Sequence, residues 1–295
     1  MGERDYRKDN EAPTLGDIFE RYEAQKVPQM FSYKTAEHAL NYMRKVMGKE
    51  TPITFVDQIF IDDFIKAERA RGYADQTIKN RLTFLGAAIN HAVRQRLLDN
   101  SVKPIYQVLD LHCPPRTTLV SPESVQKLLE IARQKRVKGR GPSRLEMYLM
   151  MIWQTGARDN CVRMALWSQI DLEKKTIDFR VPGRRETNKK RPVVPISRTL
   201  LDFLKGARPF AKNNHYLGGT GKISSTLTRA TIDAGCPEVT AHVFRHTWAT
   251  EAIESGVSLE HVAGVLGDSF NTVWKTYNHL RPEPLRPAVN FRERM

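Results

Sequence analysis

Four residues in the second half of the chain carry side chains that could together act on a phosphodiester bond. In chain order they are Arg158, His242, Arg245 and Tyr277. A tyrosine hydroxyl has a reference pKa of about 10, so its attack on phosphorus requires removal of the proton and stabilisation of the charge that develops. Arginine suits the second requirement, because its planar guanidinium group matches two phosphate oxygens and stays charged. These residue types could therefore support phosphoryl transfer without a metal ion.

Each of these residues also has an ordinary structural interpretation when it is considered alone. Tyr277 stands among polar neighbours and has the pattern of a half-buried aromatic residue. His242, Arg245 and His246 are spaced three and four residues apart, which places them on one face of a predicted helix. The two histidines could suggest zinc, but no glutamate lies between them and no third ligand is near, so we predict no metal. One histidine would then be a core residue.

The composition points to a polyanionic partner. The chain has 295 residues, with 47 Lys and Arg against 33 Asp and Glu, and a formal net charge of +14. Such an excess favours nucleic acid, because neutralising phosphates releases counterions. An anionic membrane surface would also attract this charge, but no apolar run approaches the roughly 20 residues of a spanning helix. The three cysteines lack metal-ligand spacing, and the first ten residues contain no apolar signal core, so we predict a cytoplasmic protein.

The length and the apolar pattern predict two domains, of which the first, residues 14–100, is helical. Its clearest helix is expected to begin with Asp75 as the N-cap. The apolar face of this helix consists of Ile78, Leu82, Leu85, Ile89 and Val93. We predict that Lys79, Arg81 and Arg94, on the basic face, contact DNA phosphates. The alternative is that these residues form an ordinary solvated surface.

The second domain is predicted to span residues 120–280, after a linker at 101–119 in which three prolines interrupt the helical pattern. It begins with Ser121 as a helix cap and Pro122 in the first helical position. The later elements are a helix through 144–158, hairpin strands at Thr176 to Val181 and Arg191 to Ile196, and helices at Ser197 to Leu204, Ser224 to Ala234, His242 to Ser255 and Leu259 to Val265. Tails at 1–13 and 281–295 flank the domains. The fold class is therefore mainly α with a small β-hairpin.

The order of several motifs resembles the catalytic domain of the tyrosine recombinases, or phage-type integrases. The motifs are Thr-Gly before Arg158, a hairpin with a basic turn, His242-x-x-Arg245-His246, Leu266-Gly267, and Tyr277 nine positions after Asp268. The likeness covers about Val120 to Leu280. Before it, the segment QTIKNRLTFLGAAINHAVRQRLLDN is similar to the last helices of that family's SAM-like core-binding domain. The resemblance implies a helical core-binding domain followed by a mixed α/β catalytic domain.

The resemblance also implies a function and a set of roles. Arg158 and Arg245 would bind the scissile phosphate, His242 would assist proton transfer, and Tyr277 would become joined to the DNA 3′-phosphate. The released 5′-hydroxyl later attacks a partner's phosphotyrosine, so neither ATP nor another cofactor is needed. The expected partner is double-stranded DNA, bound by a homo-tetramer on two sites. The tail at 281–295 would pack on a neighbouring subunit or, alternatively, be disordered.

The chain departs from the family pattern in the hairpin, where the family has a lysine as general acid. The usual position, eight residues before Pro195, is occupied by Thr187. The nearest lysines are Lys189 and Lys190, and we predict Lys189 as the acid. A solvated turn lysine is the alternative, and Arg185 is a poor proton donor because of its high pKa.

Two further departures concern acidic residues. Three positions after the first arginine the family usually has an acid, but this chain has Cys161, which we predict to be a small buried hydrophobe; the closest acid is Asp159. Asp268 stands where the family usually has a histidine that donates to the phosphate, and an ionised carboxylate cannot donate. Asp268 could cap a helix outside the site, accept a hydrogen bond from an arginine or from Tyr277, or mark a weakened enzyme.

The sequence leaves the biological role open. We predict that the protein is a catalytically active recombinase or integrase that acts at specific DNA sites, because Arg158, His242, Arg245 and Tyr277 are all present. A resolver of chromosome or plasmid dimers and a transposon recombinase are alternatives within the family. A catalytically weakened DNA-binding relative and a relaxing topoisomerase are the alternatives from other functional classes.

Overall fold

The structure is a computed structural model that describes residues 12–30, 32–108, 111, 118–180, 190–211 and 223–280. The chain divides into two compact units, Met1–Pro114 and Pro115–Met295. This division falls inside the segment 101–119 in which the sequence places a linker, and the finer domain boundaries stay predictions. The predicted tail at 281–295 lies outside the described residues.

The first unit is helical over its described part, as the apolar spacing predicts. Its α-helices are α1 (Leu15–Gln25), α2 (Tyr33–Met43), α3 (Gln58–Ala70) and α4 (Asp75–Arg94). Short 3-10 turns lie at Val27–Gln29, Ile53–Phe55 and Asn100–Val102, and a π-helical turn at Arg44–Gly48. The helices enclose one apolar core, to which α4 contributes the buried residues Ile78, Leu82, Leu85, Ala88, Ile89 and Ala92.

The start of α4 differs from the prediction. Ala74 occupies the N-cap position and Asp75 is the first helical residue. The Asp75 carboxylate accepts two hydrogen bonds from the Arg69 guanidinium, at 2.9 and 2.8 Å. The prediction of Asp75 as N-cap is therefore wrong, because its side chain pairs with the end of α3 instead of with the backbone of its own helix.

The second unit is mainly α with a small sheet, and this confirms the predicted fold class. Its helices are α5 (Pro122–Gln134), α6 (Arg144–Thr155), α7 (Asp159–Met164), α8 (Arg198–Ala207), α9 (Ser224–Asp233), α10 (Ala241–Glu254), α11 (Leu259–Leu266) and α12 (Phe270–Tyr277). Short 3-10 turns lie at Trp167–Gln169, Arg208–Phe210 and Asn278–Leu280. As predicted, Ser121 caps α5 by accepting from the Ser124 amide at 3.2 Å, and Pro122 is the first helical residue.

The sheet has three antiparallel strands in the order β1 (Ile170–Asp171), β2 (Thr176–Asp178) and β3 (Val193–Pro195). Ile177 pairs with Ile170 on one side and with Val194 on the other. β2 and β3 are the predicted hairpin strands, shortened at their ends, and the turn at 181–189 lies outside the described residues. β1 was not predicted, because two residues are too few to show an alternating pattern.

Two apolar clusters fix the helices that carry the site. The larger surrounds α6, whose residues from Leu145 to Ile152 are all buried. The smaller joins the ends of α10, α11 and α12 and includes Ile253, Leu266 and Tyr277. Tyr277 is only 8% exposed, so the prediction of a half-buried tyrosine is corrected to a buried one.

Candidate active site

Turns at two glycines end the helices that precede the site residues Arg158 and Asp268. Gly156 ends α6 with a left-handed φ of 60°, and a Cβ atom there would lie 2.8 Å from the Trp248 ring. Gly267 ends α11 with φ 65°, and a Cβ atom there would lie 2.6 Å from the Lys190 carbonyl oxygen. Only glycine fits both the conformation and the space at these turns. The Thr-Gly and Leu-Gly motifs thus place Arg158 and Asp268 just beyond their helix ends.

Arg158 joins three parts of the second unit. It is the N-cap residue of α7, and its side chain is 20% exposed. Its Nη1 donates to the Lys190 carbonyl at 2.8 Å, at the base of the hairpin, and its Nη2 donates to the Gly267 carbonyl at 2.9 Å. The same Nη2 donates to Asp268 Oδ1. These contacts fix the orientation of the guanidinium plane.

Arg245, on α10, is held in the same manner but is more deeply buried, with 5% exposure. Its Nη1 donates to the Gly156 carbonyl at 3.1 Å, and its Nη2 donates to the Leu266 carbonyl at 3.0 Å and to Asp268 Oδ2. Burial lowers the pKa of Arg245 from its usual value, and the Asp268 charge opposes that change. A guanidinium group nevertheless stays protonated in proteins, so the site retains this charge.

Asp268 accepts from both arginines, one with each carboxylate oxygen. The N-cap of α12 is Ser269, whose Oγ accepts from the Thr272 amide at 3.2 Å. The helix-cap interpretation of Asp268 is therefore wrong, and the interpretation in which it accepts from an arginine matches the contacts.

Tyr277 is the last residue of α12, and its hydroxyl lies 3.1 Å from His246 Nδ1. The two rings are stacked, with centroids 5.3 Å apart and an interplanar angle of 27°. Burial raises the pKa of Tyr277 above its usual value; the Arg245 charge opposes this rise and the Asp268 charge adds to it. Burial lowers the pKa of His246, and His242 and His279 lower it further. A neutral tyrosine therefore faces a neutral histidine.

The proximity of His246 to Tyr277 was not predicted from the sequence. The helical spacing places His242, Arg245 and His246 on one face, but it does not indicate which histidine reaches the tyrosine. His242 is an exposed residue one turn earlier on α10. The two histidines thus differ in surroundings although they share a helix face.

The hairpin and α7 resolve some of the departures from the family pattern. Cys161 is 4% exposed in the main core, which confirms its prediction as a buried hydrophobe. Asp159 accepts from the Tyr148 hydroxyl and from Arg163, each at 2.8 Å, so in the described contacts it does not hold Arg158. The candidate general acid Lys189, with Thr187 and Arg185, lies outside the described residues and stays a prediction.

The basic residues predicted to contact DNA from α4 fall into two groups. Lys79 and Arg94 are exposed. Arg81 is half-buried, forms an ion pair with the fully buried Glu68, and lies between two tyrosine rings. The guanidinium of Arg81 is thus engaged inside the first unit, and its contact with a DNA phosphate stays a prediction.

Neither a metal centre nor a membrane span is found in the part of the chain that the structure describes. It contains no group of three or more His, Cys, Asp and Glu side chains arranged to hold a metal ion. None of the described helices combines the length and the apolar character needed to cross a membrane.

Models of known protein families match both units of the chain. The family model for the phage integrase family matches residues 119–283, and the model for the phage integrase SAM-like domain matches residues 14–108. A tyrosine recombinase XerC-like protein of Caldanaerobacter subterraneus subsp. tengcongensis is 25% identical over 94% of this chain and 82% of its own length. The integrase of Haemophilus phage HP1 is 28% identical over 43% of this chain and 37% of its own length.

Solved structures share the fold over almost the whole chain. The Tn1549 transposon integrase, in complex with a circular intermediate DNA, superimposes with a TM-score of 0.76 at 13% identity, covering 96% of this chain and 100% of that one. The XerH site-specific recombinase bound to a palindromic difH substrate gives a TM-score of 0.64 at 18% identity, covering 96% and 98%. With both family models matched in order, the chain belongs to the phage integrase family, the tyrosine recombinases that catalyse site-specific DNA recombination.

Proposed function

We propose that this recombinase breaks and rejoins double-stranded DNA through a covalent 3′-phosphotyrosine at Tyr277. The observation that carries the proposal is the convergence of Arg158 and Arg245 on one carboxylate group. Two guanidinium groups that bind the two oxygens of a carboxylate also suit two non-bridging oxygens of a phosphodiester. The position of the Asp268 carboxylate is therefore the proposed position of the scissile phosphate.

The arginines supply charge to the reaction, and Tyr277 supplies the nucleophile. Tyr277 attacks phosphorus, the 5′-oxygen leaves, and the negative charge of the pentacoordinate transition state is stabilised by Arg158 and Arg245. The phosphotyrosine retains the bond energy, so attack by a 5′-hydroxyl can rejoin DNA without ATP. We retain Lys189 as the proposed acid for the leaving oxygen.

Asp268 has a proposed role that follows from the hydrogen bonds of the two arginines. On each guanidinium the Nη2 group donates to a backbone carbonyl and to Asp268. Each Nη2 group has only two hydrogens, and one of them is bound to the Asp268 carboxylate. A phosphate that accepts from both guanidinium groups therefore needs the donors that the carboxylate now uses. Asp268 thus holds the two guanidinium groups in position before DNA arrives, and the phosphate displaces it.

The wider assembly is proposed from the family resemblance and the charge. Lys79 and Arg94, both exposed on α4, would contact phosphates of the bound DNA. Four subunits would join two DNA sites, with the tail at 281–295 of one subunit packing on its neighbour. The relatives named above are bacterial or phage recombinases, and the proposed location is the bacterial cytoplasm, on DNA.

A second candidate function is sequence-specific DNA binding with little cleavage. It is favoured by the negative charge of Asp268, which would repel a phosphate that failed to displace it. In this second candidate function Arg158 and Arg245 are still present to bind the phosphate. It therefore differs from the first candidate function only in the rate of covalent chemistry. The two therefore need a test that separates binding from cleavage.

The test traps covalent complexes on DNA of unknown target sequence. Total DNA of the source organism is lightly nicked with DNase I, so that cleavage near a nick loses the short 5′-hydroxyl strand and cannot reverse. After incubation and denaturation in SDS, DNA that stays with the protein is sequenced. We expect wild-type protein and the exposed-tyrosine control Tyr33→Phe to give adducts at one recurring sequence, and Tyr277→Phe to give none.

The remaining outcomes decide between the two candidates. Binding to a recurring sequence without any Tyr277-dependent adduct would overturn the cleavage proposal and favour the DNA-binding relative. Adducts without a recurring sequence would contradict site specificity and favour a topoisomerase-like activity. Adducts at a recurring sequence would also give the target and the cleavage position.

A further inference from the structure

We propose that His246, rather than His242, accepts the proton of Tyr277 during DNA cleavage. This inference rests on the proposed function, because it assigns a base to the proposed nucleophile. It changes the expectation from the family resemblance, in which the histidine three residues before Arg245 assists proton transfer. The geometry around the tyrosine hydroxyl supports this assignment.

The hydroxyl of Tyr277 is already hydrogen-bonded to a nitrogen that can take its proton. His246 Nδ1 lies 3.1 Å from the oxygen, within the range expected for a general base and its proton. When the hydrogen of the neutral ring is on Nε2, Nδ1 has a lone pair directed at the hydroxyl. The two rings stack between α10 and α12, with an interplanar angle of 27° and centroids 5.3 Å apart, and this stacking holds the nitrogen near the hydroxyl.

The other polar groups near the tyrosine are less suited to the task. Both oxygens of Asp268 accept from arginines, and Arg245 has no lone pair to accept a proton. The ionisable groups that face His246 are His242 on its own helix and His279 in the turn after α12, together with Tyr277 itself. His242 is more exposed than His246 and lies one helical turn before it on α10.

The proton and electron balance of the step is simple. The O–H bond of Tyr277 breaks, and its proton moves to His246 Nδ1. The phenolate oxygen forms a bond to phosphorus, the bond from phosphorus to the 5′-oxygen breaks, and the leaving oxygen takes a proton from the hairpin lysine or from water. Rejoining reverses each transfer, and His246 returns the proton to the tyrosine.

The test measures the rate of adduct formation on the nicked DNA pool in single-turnover experiments from pH 6 to pH 9. The base variants are His246→Gln, and His246→Phe, which keeps an aromatic ring for stacking but has no nitrogen. His261→Gln, at an exposed position on α11, is the matched control. At pH 7.5 we expect both base variants to be about 10²- to 10⁴-fold slower than wild type.

The pH profile separates a base from a packing residue. In wild type the rate should stay level until the pH falls below the usual His pKa, since burial lowers the pKa of His246. Without the base, the rate should rise about tenfold per pH unit, because Tyr277, whose pKa is raised, then depends on hydroxide. Added imidazole should restore activity to His246→Ala but not to Tyr277→Phe.

Each outcome is decisive. Wild-type activity in His246→Phe would make the residue a stacking partner and overturn the inference. A steep profile in His242→Gln, with a level one in His246→Gln, would assign the base to His242 and also overturn it. Adducts from wild type in either case would leave the proposed function standing, whereas no wild-type adduct would overturn both. Tryptophan fluorescence verifies that each variant is folded, and imidazole rescue provides a second readout.

Discussion

The two units of the protein each contain a carboxylate bound by two arginines, and the two clusters differ in what surrounds them. In the first unit, Glu68 accepts from Arg71 and Arg81. In the second unit, Asp268 accepts from Arg158 and Arg245. Each cluster is built on one carboxylate and two arginines, and the two clusters differ in burial and in the other contacts of the charged groups.

The first cluster is enclosed. Glu68 is 0% exposed and also accepts from the Tyr42 hydroxyl at 2.9 Å. The Arg81 guanidinium carbon lies 3.7 Å from the Tyr42 ring centroid and 3.9 Å from that of Tyr73. A cation between two aromatic faces is stabilised by both rings. This cluster joins α2, α3 and α4, so its role is structural.

The second cluster is partly open. The Asp268 side chain is 23% exposed, and no aromatic ring lies over either of its arginines in the described contacts. Arg158 and Arg245 also donate to backbone carbonyls, so the arginines can stay in place when the carboxylate leaves. The difference in burial supports the proposal that the enclosed cluster stabilises the fold, whereas the open cluster exchanges its carboxylate for a phosphate.

The largest expected effect is a loss of stability, caused by a substitution that disrupts the enclosed cluster. Arg81→Met should reduce the free energy of unfolding of the first unit by about 3–5 kcal/mol, because it removes the principal buried partner of Glu68. All four tryptophans lie in the second unit, so urea titration should show an earlier transition by far-UV circular dichroism than by tryptophan fluorescence. Lys79→Met, exposed on the same helix, should change stability by less than about 0.5 kcal/mol. Equal behaviour of the two variants would contradict a structural role for the cluster.

The next effect is on DNA binding, and it concerns the carboxylate of the open cluster. Asp268→Asn removes the charge that competes with phosphate, so we expect about tenfold tighter binding to the trapped target DNA, or about 1.4 kcal/mol. Adduct formation should also accelerate, whereas tryptophan-detected stability should fall, because the buried Arg245 loses the negative charge that compensates its own. Fluorescence anisotropy with labelled target DNA measures the affinity.

The control for this prediction matches the change in net charge. Asp202→Asn, at an exposed position on α8, adds the same charge away from the arginines and should alter affinity less than Asp268→Asn does. Slower cleavage by Asp268→Asn, without tighter binding, would show that the carboxylate stays in the site during the reaction. That result would contradict its displacement by phosphate.

The smallest expected effect is a pH dependence of stability that each unit shows separately. Burial lowers the pKa of His91 in the first unit and of His246 in the second. The unfolded chain therefore binds more protons as the pH falls below about 6.5, and both units lose stability toward pH 5. For each unit and its histidine, the loss in the free energy of unfolding should be below about 1.4 kcal/mol for every pKa unit by which folding lowers the histidine pKa.

Matched variants assign this pH dependence to the two histidines. His91→Gln should flatten it in circular dichroism, and His246→Gln should flatten it in tryptophan fluorescence. Urea midpoints at pH 7 and pH 5 provide the measurement. An unchanged pH dependence in both variants would show that other groups cause the acid destabilisation.

The helices were predictable where local spacing decides them. The apolar face of α4, the cap at Ser121 and the glycine turns at Gly156 and Gly267 all depend on residues within a few positions of one another. The family pattern likewise needs only residue types and their order. Asp75 was mispredicted as an N-cap because Arg69, on the preceding helix, competes for its carboxylate.

The pairing of charges was not predictable by the same means. Lys79 and Arg81 look alike on the basic face of α4, and only the position of Glu68 on α3 engages one of them. Asp268 could have been a helix cap, a ligand of arginine or a defect. Its environment depends on where Arg158 lies, 110 positions away in the chain.

The sequence by itself determined the family, the two-unit helical organisation and the order of Arg158, His242, Arg245 and Tyr277, because these follow from residue types and short spacings. Only the tertiary structure decided which anion the arginines share and which histidine meets the tyrosine. His246 and Tyr277 are 31 positions apart on different helices. Contacts of this kind depend on how α10 and α12 pack, and side-chain packing is fixed by the whole apolar core rather than by the local sequence.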